Sequence, residues 1–109
     1  MLAFILKRKI KKAMKRTRLE FANCEPAIVD HFFYGAVEIH PRSLAMWYIF
    51  RTEAEMEQAG NSGMCCRIAE ATARHLEQLR YPVDPRGLVS FASQEAIDNT
   101  PGGPRMYFQ

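Results

Sequence analysis

Cysteine is scarce in this chain: three in 109 residues, at Cys24, Cys65 and Cys66, two of them adjacent. No complete disulfide framework can be drawn from such a set, which favours a reducing compartment. No apolar run approaches the roughly 18 residues that a membrane-spanning helix needs. The short run LAFIL at residues 2–6 is too brief for a secretory signal, and its charges follow instead of preceding it. Serine is absent before residue 43 and lysine outnumbers arginine near the start, a poor match to an organelle transit peptide. Together these absences point to a cytoplasmic protein.

The motifs of common chemistries are missing as well. There is no CxxC, HExxH or GxSxG, and His31, His40 and His75 are not spaced with cysteines or carboxylates as metal ligands would be. The loop GNSG at residues 60–63 lacks the lysine and hydroxyl residue of a phosphate loop, and PGGP at 101–104 reads as a turn with no helix after it. Cys65 and Cys66 open an expected helix, where a thiol can be activated, but small apolar side chains packed beneath a sheet account for them better. No catalytic, cofactor-binding or metal-binding residue is expected.

One other absence has a positive consequence: no acidic residue precedes Glu20. Residues 6–18, LKRKIKKAMKRTR, carry eight cations, Lys7, Arg8, Lys9, Lys11, Lys12, Lys15, Arg16 and Arg18. The rest of the chain sets seven basic residues against twelve acidic ones, a net of −5 beneath the whole-chain charge of +3. Such a split marks either an interaction arm or a basic helix lying on its own acidic body.

The same stretch has the period of a helix. Leu6, Ile10, Ala13, Met14, Thr17 and Phe21 recur at steps of three and four with no Gly or Pro before Pro26, so residues 1–24 form a basic amphipathic helix and 25–109 the remaining domain. Four like-charge pairs at i,i+4, such as Lys7–Lys11 and Lys12–Arg16, oppose an isolated helix by roughly 1–2 kcal/mol in total. Burying Leu6, Ile10 and Met14 returns about 1.5–3 kcal/mol each. The helix therefore forms against a surface, and its own domain or a dimer interface is the first candidate. An anionic bilayer is the second, with only Phe4 and Phe21 to insert. Nucleic acid is the third, although no aromatic residue is interleaved with the cations.

Beyond the arm, Phe32–Ile39 reads as a strand in which Val37 and Ile39 alternate with Glu38 and His40. His40–Ser43 then turns into LAMWYIF, residues 44–50, a continuous apolar run suited to a central strand covered on both faces. Thr52 caps a short helix over EAEMEQA, and Ser62 is placed to cap the next. Along residues 63–80, Cys65, Ile68, Thr72, Leu76 and Leu79 form one stripe, while Glu70 and Arg74 stand outward at the favourable i,i+4 spacing. Leu88–Ser93 is a third strand, parallel to the second or beside its neighbour, Gln94–Asn99 a helical turn, and Arg105–Gln109 a last strand. The expected fold is α+β: an N-terminal helix, a β-hairpin, a main helix and two further strands, making a four-stranded sheet with helices on one face.

A polar cluster of Glu38, His40, Arg42 and Arg51, with Glu53, lies near the hairpin ends, where Arg86 or Arg105 could converge with it; cross-strand charge pairs explain it equally well. The first functional reading is a small non-enzymatic binding or protein-interaction domain that meets a protein partner or a second copy of itself. The alternative is binding of nucleic acid or an anionic membrane through the eight cations, and an enzyme with an unrecognised site comes third.

Overall fold

The computed structural model describes residues 2–108. Helix α1 spans Leu2–Glu20 and turns Leu6, Ile10, Ala13, Met14 and Thr17 inward, all of them buried. Leu6, Ile10, Ala13 and Met14 belong to the main hydrophobic core, together with residues of the sheet and the later helices. Phe21, past the helix end, is half-buried against that core, so it is not available to insert into a bilayer. Met1, the first residue of the expected helix, lies outside the described residues.

Strand β1 covers Ile28–Tyr34 and pairs antiparallel with β2, Ala45–Phe50, with Phe32 opposite Trp47 and Tyr34 opposite Ala45. The first strand thus lies earlier than Phe32–Ile39. Gly35 ends it at φ +128°, a conformation other residues rarely adopt, and a Cβ there would stand 2.0 Å from the Ser43 carbonyl oxygen. The chain then folds into a turn, in which Ile39 and His40 N–H groups donate to the Ala36 carbonyl. The alternation of Val37 and Ile39 therefore belongs to a turn that buries Val37 and leaves Ile39 exposed. A 3₁₀ turn at Pro41–Ser43 leads into β2.

Helix α2 is Glu53–Asn61, with the Thr52 side chain accepting from the Glu55 N–H. Helix α3 is Met64–Gln78, but its N-cap is Gly63, and the Ser62 hydroxyl donates back to Ala59 O instead of capping it. The buried face of α3 comprises Met64, Ile68, Ala71, Thr72, Ala73 and Leu76; Cys65 and Leu79 pack at its margin. Arg74 turns away from Glu70 to Glu20 of α1, at 2.5 Å.

Strand β3, Val89–Ser93, pairs parallel with β2 to give the order β1-β2-β3. The sheet has three strands and not four. Where a fourth was expected, Pro104–Tyr107 is a short helix α5, because Gly103 at φ +67° turns the chain and Pro104 supplies a preset first helical residue; Gln109 lies outside the described residues. A helix, then, does follow PGGP.

Nor are the helices confined to one face. Met46, Tyr48 and Phe50 of β2 share the core with α1 and α3. Ile49 points the other way and packs with Ala92, with Ile97 of α4 (Gln94–Asn99), and with Phe32, Trp47, Tyr107 and Phe108. Period-two alternation in the central strand divides its apolar run between two cores, and α4 and α5 cover the second.

The main core contains one polar chain, which joins α1, α3 and β2. Tyr48 Oη lies 2.7 Å from Thr72 Oγ1, Thr72 Oγ1 lies 3.1 Å from Thr17 Oγ1, and Thr17 Oγ1 donates to Ala13 O at 2.9 Å. All three side chains are buried. Thr72 Oγ1 also donates to Ile68 O at 2.9 Å, so each threonine has a carbonyl of its own helix for its single proton; Tyr48 donates to Thr72, and the two threonines share a proton only when one of them turns from its carbonyl to the other.

Candidate anionic-partner interface

Because Leu6, Ile10, Ala13, Met14 and Thr17 face the core, the 100° step of the helix sends the intervening residues outward. Lys7, Arg8, Lys11, Lys12 and Lys15 are exposed, and Lys9, Arg16 and Arg18 lie at the flanks, partly covered. Lys9 Nζ donates to Arg80 O at 3.1 Å. Arg18 donates to Ile28 O at 3.1 Å and to His31 Nδ1 at 3.1 Å. A guanidinium has no acceptor, so Nδ1 accepts and the imidazole is neutral. Burial first, and then the Arg18 charge, push the His31 pKa below its ordinary value.

None of the eight cations forms an ion pair among the described residues. The ion pairs there are Arg51–Glu55, Arg74–Glu20, His75–Glu20 and Arg86–Asp84. Glu20, the one acid on α1, is held by α3: Arg74 and His75 reach the same Oε1, at 2.5 and 2.6 Å. The Arg74 hydrogen bond is the main reason its carboxyl lies below the usual range. Among the described residues, charge ties α1 to its own domain only through Glu20 at its C-terminal end; the apolar stripe and buried hydroxyls attach the rest of the helix, and its positive charge is left on the surface.

Bulky apolar side chains share this outer face. Phe4 is 62% exposed, Ile5 44% and Leu19 68%. The Arg8 guanidinium sits 5.8 Å from the Phe4 ring centroid. An open groove of about 570 Å³ runs along the face, lined by Phe4, Ile5, Arg8, Lys12, Lys15 and Leu79 among others. A smaller recess of about 370 Å³ follows at the helix's C-terminal end, between Lys15, Arg18, Phe21 and His31. Sequence reasoning finds the cations and Phe4 but passes over Ile5 and Leu19. Their signal is angular, because both lie roughly opposite the buried stripe, where an amphipathic helix is expected to be polar.

The polar cluster proposed from the hairpin is not one site. Arg42 begins the turn into β2 and donates to Asp84 O at 3.3 Å, while His40 Nδ1 accepts from the Arg42 N–H at 3.2 Å. Arg51 follows the other end of β2 and pairs with Glu55 at 3.0 Å. A six-residue strand separates them by about 20 Å. Glu38 is exposed in the turn. Arg86 binds Asp84 and draws its carboxyl down to about 2, Glu53 offers its N–H to Glu95, and Arg105 lies on α5. Arg42 and Arg86 thus meet at Asp84, while Arg51 lies at the opposite end of β2.

Cys65 is partly buried and its thiol is pushed up, chiefly by burial and then by Cys66, the reverse of what a nucleophile needs. Among the described residues no group of three or more His, Cys, Asp or Glu is placed to hold a metal, and no helix is long and apolar enough to cross a membrane. The chain shows no significant match to a protein-family model, a curated protein or a solved structure.

Proposed function

We propose that the protein is a small non-enzymatic binding domain that holds an anionic partner on the outer face of α1. The observation that carries this reading is the set of eight cations left without an ion pair among the described residues, on a helix anchored in the core from Leu6 to Thr17. Like charges at i,i+4 oppose the helix, and the absence of acid from its first turn leaves the positive end of its dipole uncompensated. A partner of opposite charge offsets both. Because the helix is anchored from Leu6 to Thr17, binding orders only the cationic side chains and not the backbone that carries them.

Amide chemical-shift mapping tests this reading with three polyanions: polyglutamate, a DNA duplex and anionic vesicles. The expected result is perturbation concentrated between Phe4 and Leu19 with at least one of them, abolished when Arg8, Lys11, Lys12 and Lys15 are all replaced by Gln. Perturbation centred on Phe32 and Trp47, or none with any polyanion, contradicts it.

A further inference from the structure

We infer that the anionic partner is a lipid bilayer, on which α1 lies with its axis in the membrane plane and its outer face towards the headgroups. This rests on the reading of that face as an anion-binding surface and goes further by naming what it binds. The added observation is the position of the exposed apolar residues. Phe4 and Ile5 stand at one end of the face and Leu19 at the other, about 22 Å apart along the helix, with Arg8, Lys11, Lys12 and Lys15 between them.

Phosphates arrayed on a duplex would engage the four cations and leave Phe4, Ile5 and Leu19 in water, since apolar side chains contribute nothing to phosphate contact. A bilayer uses both kinds of residue. Its anionic headgroups attract the cations, the apolar ends dip towards the acyl boundary, and the lysine stems extend along the surface with their ammonium groups in the polar layer. The open groove beside Phe4 and Leu79 lies on the same face, between the apolar end and the cations. With so few apolar anchors the helix has little hold on an uncharged membrane, so anionic lipid is required and attachment is reversible.

The test is co-sedimentation of the full chain with phosphatidylcholine vesicles that contain, or lack, about one part in four of phosphatidylserine. Three variants accompany it: Phe4→Ser with Ile5→Ser, Leu19→Ser alone, and the four-fold Gln replacement at Arg8, Lys11, Lys12 and Lys15. The apolar replacements are at exposed positions and should leave the melting curve unchanged, and a cooperative transition no lower than the parent's verifies the fold of the Gln variant. We expect binding at physiological salt only with phosphatidylserine present. Each apolar replacement should weaken it, by about tenfold for the Phe4/Ile5 pair, and the Gln replacement should abolish it.

Wild-type affinity in both apolar variants overturns the bilayer. So does binding of a DNA duplex or polyglutamate as tightly as the vesicles at the same salt, although that result leaves the anion-binding face standing. Failure to bind any of the three removes both.

Discussion

Removal of residues 1–20 is expected to unfold the remaining chain instead of releasing a stable body. Leu6, Ile10 and Met14 are at most 2% exposed, and burial of each contributes about 1.5–3 kcal/mol. Together they approach the whole net stability of an ordinary domain of this size, about 5–15 kcal/mol. The truncation also uncovers the side of α3 against which α1 lies and strips Thr72 of its Thr17 partner. The single substitution Ile10→Asp should act in the same direction, because it places an unpaired carboxylate in the core. Circular dichroism on heating should show no cooperative transition for either protein. A truncated chain that melts cooperatively within a few degrees of the full chain would return α1 to the status of a detachable arm.

Thr72→Val should cost about 1–3 kcal/mol, since the change is isosteric but takes away the acceptor of the buried Tyr48 hydroxyl. In a domain of this size that is a fall of roughly 5–15 °C in melting temperature. Adding Tyr48→Phe should recover part of the loss, because an apolar pair leaves no unsatisfied donor behind. The same chain predicts a dependence on alkaline pH. Burial, opposed by the Thr72 and Thr17 hydrogen bonds, raises the Tyr48 pKa above its ordinary value, which is about 10. Its contribution is therefore complete below about pH 10 and declines as pH rises through the higher folded pKa, since the unfolded chain ionises first. Tyr48→Phe should remove that part of the alkaline decline and leave the part due to Tyr81, whose phenol is also raised by burial. If Thr72→Val melts like the parent, the hydroxyl chain contributes nothing to the attachment of α1.

Where local pattern and tertiary demand agree, the sequence is legible. The three- and four-residue stripe of α1, the apolar run of β2, the Thr52 cap and the extent of α3 all follow from spacing and residue type. Residues 35–40 mislead because Val37 and Ile39 copy a strand's alternation inside a turn, and only the positive φ at Gly35 shows where the strand ends. The C-terminal Met-Tyr-Phe looks like a strand by β propensity, yet Gly103 and Pro104 start a helix whose aromatic end packs on the sheet face. Residues 44–50 already argue against a one-faced sheet: a strand apolar on both sides needs a second cover, which α4 and α5 supply.

The interface is legible in its cations and not in its arrangement. Spacing alone shows that Lys11, Lys12 and Lys15 lie off the apolar stripe. It does not show that α3 takes Glu20 for Arg74 and His75, a pairing across more than fifty residues that keeps the sole acid of α1 from neutralising its neighbours. Nor does it show that Leu19 is left in solvent.

The central claim is that the cations of α1, without an ion pair among the described residues, are held there for a partner, against the stability of the fold. The direct measurement is the melting temperature of the parent protein and of the four-fold Gln variant, each between about 0.02 M and about 0.5 M sodium chloride. Replacing Arg8, Lys11, Lys12 and Lys15 removes all four i,i+4 repulsions at little cost in helix propensity, a gain of roughly 1–2 kcal/mol at low salt. The account predicts that the variant melts several degrees above the parent at low salt, and that the gap narrows as salt screens the parent's repulsion. A variant that melts below the parent, or a parent that loses stability as salt is added, would mean that the acids of its own domain already hold these cations.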